Sequence, residues 1–252
     1  MKIKRMTSPY NPTVKIFSRL THARGIKKYG MALFSGPKQV REILQEFSDR
    51  VAGVIFSDRQ EPPAGPATEE IPYYHLSPEL FNRIDPFDIG QPILLVRVDP
   101  FPEWTGEAWP TGCTLCIPFQ DPANVGAAIR SAAAFGVSGV IILKEAAHPF
   151  LPKSVRAAGS ALFRVPLFQG PSLDRLEVSD APMITLSPGG HDIKGYRFPD
   201  SFCLVPGLEG PGLPKQLRDA RALSIPMEPC VESLNAALAT GIALYQWRSF
   251  VR

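Results

Sequence analysis

Residues 118–143 read PFQDPANVGAAIRSAAAFGVSGVIIL, and this stretch decides how the second half of the chain folds. Asp121 is a natural helix N-cap and Pro122 suits the first helical position, which puts Asn124 third, inside the first turn. Val125, Ile129 and Ala132 supply a buried stripe, and Gly136 ends the helix. The apolar run Val137–Leu143 then reads as a strand. With another strand expected over Cys113–Phe119, the whole is strand, helix, strand, the crossover unit of a parallel sheet. Gly126 and Arg130 lie four apart on one helix face. A helical side chain leans toward the N-terminus, so the guanidinium of Arg130 is expected over the bare Gly126, toward an end that favours anions.

The alternation extends in both directions. Downstream, a helix over Lys153–Ala158 and a strand over Leu162–Leu167 are followed by strands near 182–187, 202–206 and 221–225. A last helix runs from Ser233 to about Phe250. These predict a parallel α/β domain over 113–252, whose ligands bind outside the carboxyl ends of the strands. Upstream, Val14, Phe17 and Leu20 mark an amphipathic helix over 12–23, Met31–Phe34 a strand, and Pro37 a helix to about Asp49. Strands over Val51–Phe56, Ile71–His75 and Pro92–Val98, with a short helix capped by Ser77, complete a small α/β domain over 1–98. The stretch DPFPEWTGEAWPTG (99–112) has three prolines, two glycines and two tryptophans and reads as a linker.

Composition narrows the classes. Of 252 residues 44% are apolar and 20% charged, which excludes wholesale disorder. The positively charged start has no apolar run behind it, so it is no signal peptide, and the apolar stretch 132–143, broken by Gly136, Ser138 and Gly139, falls short of a membrane span. A cytoplasmic protein is expected. Net charge is only +3, but residues 1–41 hold ten Lys and Arg and no Asp or Glu, leaving 17 bases against all 24 acids elsewhere. A basic face on a mildly acidic body suits a partner rich in phosphate. Lys15, Arg24, Lys27 and Lys28 are the candidate contacts.

Two further clusters could carry chemistry. In FCLVPGLEGPGLP (202–214) a strand runs into Gly207, Gly210 and Gly212, with Glu209 among them. Glycines here allow close approach of a ligand or a second backbone, and neither a Walker loop nor a spaced G-x-G-x-x-G is present. In LSIPMEPCVESLNAALATGIALYQW (223–247) Ser233 is the expected N-cap, with Leu234 and Asn235 in the first turn. The helix that follows has Leu234, Leu238, Ile242 and Tyr245 on one side and Ala236, Ala239 and Ala243 on another. So little polar surface requires burial, in the core or against a second subunit, and the small residues point to a homodimer. Cys113 and Cys116 form a C-x-x-C inside a strand with no second pair at zinc spacing, so they read as buried thiols and no metal is expected.

Together the three clusters resemble, in order and setting, the signature motifs of the SpoU (TrmH-like) branch of the SPOUT RNA methyltransferases. Asn124, Gly126 and Arg130 match N-x-G-x-x-x-R. Gly207, Glu209, Gly210 and Gly212 match G-x-E-G-x-G. Ile225, Pro226 and Met227, followed by Ser233, Leu234 and Asn235, match I-P-M and S-L-N. SPYNPTVK (8–15) and KSVRAAGSALFRVP (153–166) are also family-like, while Leu208, Pro229 and Ala237 depart from the usual pattern. The resemblance implies a trefoil knot in the C-terminal domain and a ribosomal-protein-like, RNA-gripping N-terminal domain. It also implies S-adenosylmethionine held by Gly207, Ile225, Met227, Ser233, Leu234 and Asn235. The implied reaction methylates a ribose 2′-hydroxyl, in ribosomal RNA ahead of transfer RNA, with Arg130, Asn124 and Glu209 as the catalytic set. A guanidinium with a pKa above ~12 is a poor base, so Arg130 is expected to bind a phosphate or a developing alkoxide. The alternatives are a non-catalytic RNA-binding protein that keeps the fold, and a nicotinamide-dependent oxidoreductase, against which the missing glycine fingerprint counts.

Overall fold

The computed structural model describes residues 2–63, 70–85, 87–106, 109–176, 182–207, 217 and 220–250. The chain divides into two compact units. One runs through Pro100 and takes in Pro149–Ser160; the other holds Phe101–His148 and the chain from Ala161 onward.

In the first unit β1 (Lys2–Met6) leads to α1 (Pro12–Arg19), α2 (Ala23–Tyr29) and β2 (Met31–Ser35). Next come α3 (Pro37–Glu46), β3 (Val51–Ser57), β4 (Pro72–Leu76), α4 (Pro78–Asn82) and β5 (Ile93–Arg97). Among the described residues they form a five-stranded sheet ordered β1-β4-β3-β5-β2, with β1, β4 and β3 parallel and β5 antiparallel to both its neighbours. Val14, Phe17 and Leu20 are buried, and the Phe17 ring meets Tyr74 edge-on at 5.0 Å. The helix expected over 12–23 stops at Arg19, and a second helix, α2, starts at Ala23. Leu20 closes the first with its amide on the carbonyls of Ile16 and Phe17, and the chain turns before Ala23. Lys2–Met6, too charged to read as a strand, pairs along β4 and buries Met6.

A domain boundary needs correcting here. Residues 149–160 were expected in the C-terminal domain but pack with the first unit. The reason is specific polar contact: Gln39 Nε2 donates to the carbonyls of Val155 and Arg156, both at 3.1 Å, and Ser160 Oγ donates to Glu42 Oε2 at 2.8 Å.

The second unit contains β6 (Gly112–Ile117), α5 (Pro122–Phe135) and β7 (Gly139–Ile142), and α6 (Pro152–Ala158) belongs to the other unit. It resumes with β8 (Leu167–Gln169), β9 (Met183–Asp192), β10 (Ser201–Val205), β11 (Arg221–Ser224) and α7 (Ala236–Arg248). Its described strands all run parallel, in the order β11-β9-β10-β6-β7-β8. The strand expected over Leu162–Leu167 is instead a 3₁₀ turn through Phe163, and pairing starts only after Pro166, which has no N–H to give a ladder. Most of the expected linker is built into this unit: Trp104 packs on Trp109 and Phe168, with ring centroids 4.9 and 5.2 Å apart. Cys116 and Cys203, both fully buried on neighbouring strands, place their sulfurs 3.0 Å apart. That contact, with burial, holds the Cys116 thiol well above its ordinary pKa, so it stays protonated. Among the described residues no helix is long and apolar enough to cross a membrane.

Candidate active site

The strand order of the second unit reverses between β6 and β10. The chain builds outward from β6 through β7 to β8, and β10 and β9 lie on the other side of β6. In a parallel sheet, the carboxyl ends of the strands flanking such a reversal open a crevice, and ligands bind there. Two of the loops singled out in the sequence leave those carboxyl ends, 118–121 after β6 and Pro206–Gly207 after β10; the third, the chain from Ile225, leaves the same end of the edge strand β11.

Local chemistry fixes the first loop. The Asp121 side chain accepts from the Ala123 amide at 2.9 Å, Pro122 follows it, and Gly136 closes the helix at φ 72°. Asn124 is thereby set in the first turn and is 7% exposed. The third loop meets it there. Asn235 caps α7, its Oδ1 accepting from the amides of Ala237 (3.0 Å) and Leu238 (3.1 Å), and its Nδ2 donates to Asn124 Oδ1 at 2.9 Å. Ser233, expected as the cap, is exposed and lies two residues before the observed cap. Asparagine wins because one amide group both caps α7 and bridges to α5, whereas a serine hydroxyl at 233 reaches neither.

The second loop is held by close backbone approach. A Cβ at Gly207 would lie 2.8 Å from the Leu186 carbonyl oxygen, so only glycine fits without a shift. Leu186 lies in the strand expected near 182–187, but that strand runs on to Asp192 through an irregularity the sequence reading missed. Strand β9 pairs with β11 at Ile184 and Thr185, and again at His191 and Asp192, so residues 186–190 bulge out between two paired stretches. Gly190 lets the bulge return: a Cβ there would sit 2.6 Å from the Ala222 carbonyl carbon. The signal was available, since LSPGG in mid-strand is a bulge signature.

The other expected residues fall as follows. Arg130 is exposed on α5, six residues or about 9 Å along the axis from Asn124. Ile225, Met227 and Leu234 are half-buried on the loop between β11 and α7. Glu209, Gly210 and Gly212, with Leu208, lie outside the described residues. Lys15, Arg24, Lys27 and Lys28 are all exposed, on α1 and α2 of the first unit. Along α7, Ala236, Ala243 and Leu244 face inward, while Leu238 and Tyr245 stay 54% and 63% exposed. Among the described residues no cluster of His, Cys, Asp or Glu is placed to hold a metal.

Known proteins resemble this chain in sequence and in fold. A sequence model of the SpoU rRNA methylase family matches residues 115–245, which spans β6 to α7. A protein of Syntrophobacter fumaroxidans named ribosomal RNA small subunit methyltransferase G 2 is 44% identical over 97% of this chain. The chain spans about half the length of that relative, 49% of it. The 23S rRNA (guanosine-2′-O-)-methyltransferase of Salmonella typhi is 34% identical over 50% of this chain and 55% of its own. Among solved structures, an AdoMet-bound rRNA methyltransferase from Sinorhizobium meliloti superposes with a TM-score of 0.78 over 99% of both chains, at 24% identity, a likeness of fold.

Proposed function

The chain belongs to the SpoU rRNA methylase family, and from that premise we propose that it transfers a methyl group from S-adenosylmethionine to a ribose 2′-hydroxyl of RNA, ribosomal RNA ahead of transfer RNA. The observation that carries this reading is the Asn124–Asn235 hydrogen bond, which joins the first and third signature stretches at the crevice where Gly207 also lies.

The crevice fits the cofactor by its close backbone approach and its apolar lining. The cradle at Gly207 excludes a side chain, and the half-buried Ile225, Met227 and Leu234 offer apolar surface on which a flat heterocycle packs. Gly207, Ile225, Met227, Ser233, Leu234 and Asn235 would hold it. When bound, S-adenosylmethionine supplies an activated methyl group on a sulfonium. What remains for this chain is alignment of the hydroxyl and help with its negative charge. Arg130 does this as a cation, on a phosphate or on the developing alkoxide, because a guanidinium keeps its proton. Asn124, tied to Asn235, is a positioning residue for the first turn of α5, and Glu209 completes the catalytic set that the family resemblance implies.

The family resemblance supports two structural readings. The tight passages at Gly207 and Gly190 suit a trefoil-knotted chain, in which one loop threads another. The outward Leu238 and Tyr245 suit a homodimer that covers them. An RNA substrate puts the work in the cytoplasm, with the basic helices of the first unit on the RNA.

The test is Arg130→Ala. Methyl incorporation into RNA is expected to vanish, while titration calorimetry gives cofactor affinity within a few-fold of wild type. Wild-type turnover in the variant would refute the role, and absence of cofactor binding in the wild type would favour a non-catalytic RNA-binding protein.

A further inference from the structure

A second concavity lies wholly within the first unit. Arg19, His22, Arg24, Gly25, Lys28 and Tyr29 line a depression of about 600 Å³ where α1 meets α2. Its shape depends on Gly25: a Cβ there would stand 1.9 Å from the Arg19 carbonyl oxygen, so the second helix crosses the end of the first with no room for a side chain. The Tyr29 ring is half-buried, and its hydroxyl accepts from Arg19 Nη1 at 2.8 Å. The ring packs in part against the apolar core of the unit, and Lys28 Nζ stands 5.6 Å from its centroid. No Asp or Glu occurs in residues 1–41 to neutralise this group.

We propose that the α1–α2 groove is a subsite for one unpaired nucleotide of the RNA, with the base stacked on Tyr29 and the phosphate on Arg24 and Lys28. The inference deepens the RNA reading above and rests on it. A flat cationic surface would serve a duplex, whose bases are stacked inside and offer nothing to a ring. An aromatic ring at the floor of a cationic hollow serves a splayed base, because every base has a stacking face and each carries a phosphate beside it. Stacking there sends the Lys28 ammonium from the ring to that phosphate.

The experiment is fluorescence anisotropy on the full chain with a short labelled oligouridine and with a blunt RNA duplex of equal length. Wild type is expected to bind the single strand more tightly. The double charge reversal Arg24→Glu with Lys28→Glu, at two exposed positions, should weaken single-strand binding at least about ten-fold and flatten its salt dependence. Tyr29→Leu should weaken it about ten-fold at unchanged salt slope, and Tyr29→Phe should restore it. If Tyr29→Leu fails to fold, the charge reversal decides. Preference for the duplex, or single-strand binding untouched by the charge reversal, overturns the subsite and leaves the RNA reading standing. Wild type that binds neither RNA, or binds only anionic phosphatidylglycerol vesicles, overturns both.

Discussion

The α1–α2 pair of the first unit and the α5–α7 pair of the second are both built around small residues, yet they are held by different forces. In the first, Gly25 brings backbone against backbone and turns every cation outward. In the second, a Cβ added at Gly241 would stand an ordinary 3.5 Å from Ser131 Oγ, and a side-chain hydrogen bond between two asparagines sets the register. The difference suits the functions proposed for the two surfaces. Attraction between charges falls gently with distance, so a basic groove tolerates small displacements. Hydrogen bonds and in-line methyl transfer fail over fractions of an ångström, so the second pair needs a directional lock. Loss of single charges should accordingly act gradually in the first unit, and loss of the asparagine bridge abruptly in the second.

Gly25→Ala is the strongest way to break the comparison. The added methyl meets a backbone carbonyl that cannot step aside, and a cost of about 3 kcal/mol or more is expected. Hydrogen exchange should accelerate over 12–29 while calorimetric cofactor affinity stays at the wild-type value. A parallel loss of cofactor binding would mean that the two units do not act separately. Gly207→Val comes next: its side chain must displace the Leu186 carbonyl, and at about 2–3 kcal/mol of strain cofactor affinity should fall about 100-fold. Unchanged affinity would remove this turn from the cofactor site.

Asn235 sharpens the comparison at smaller cost. Asn235→Ala removes the cap of α7 and the bridge to Asn124, together about 2 kcal/mol, and should lower the melting temperature by several degrees. Asn235→Ser keeps a capping oxygen but cannot reach α5, so about half the stability should return while methyl transfer stays low. Full activity in the serine variant would show that the bridge is only structural.

The features legible in the sequence were the ones decided locally. Asp121, Pro122 and Gly136 delimit α5 because cap, first turn and stop each depend on a few neighbours, and the structure has all three where the pattern put them. The start of α7 was misread because the choice between Ser233 and Asn235 is made by Asn124, 111 positions away. Residues 152–158 were legible as a helix, but nothing local says that Gln39 and Glu42 claim that segment for the first unit. Strand β1 was hidden for a related reason: its Lys and Arg side chains look like a tail until β4 supplies the ladder. Asn124, Gly207 and Asn235 stood out by their places in a first turn or a glycine turn, the bond between the two asparagines did not, and the 186–190 bulge was passed over although its Pro-Gly-Gly was in plain view.

The central claim is that the methyl group goes to a ribose oxygen. The most direct measurement incubates the full chain with methyl-labelled S-adenosylmethionine and ribosomal RNA, digests the RNA to nucleosides and locates the label by mass spectrometry. The account predicts label in a 2′-O-methylated nucleoside with wild type and none with Arg130→Ala. Label on a base, or an unlabelled RNA from an enzyme that binds both cofactor and RNA, would contradict it.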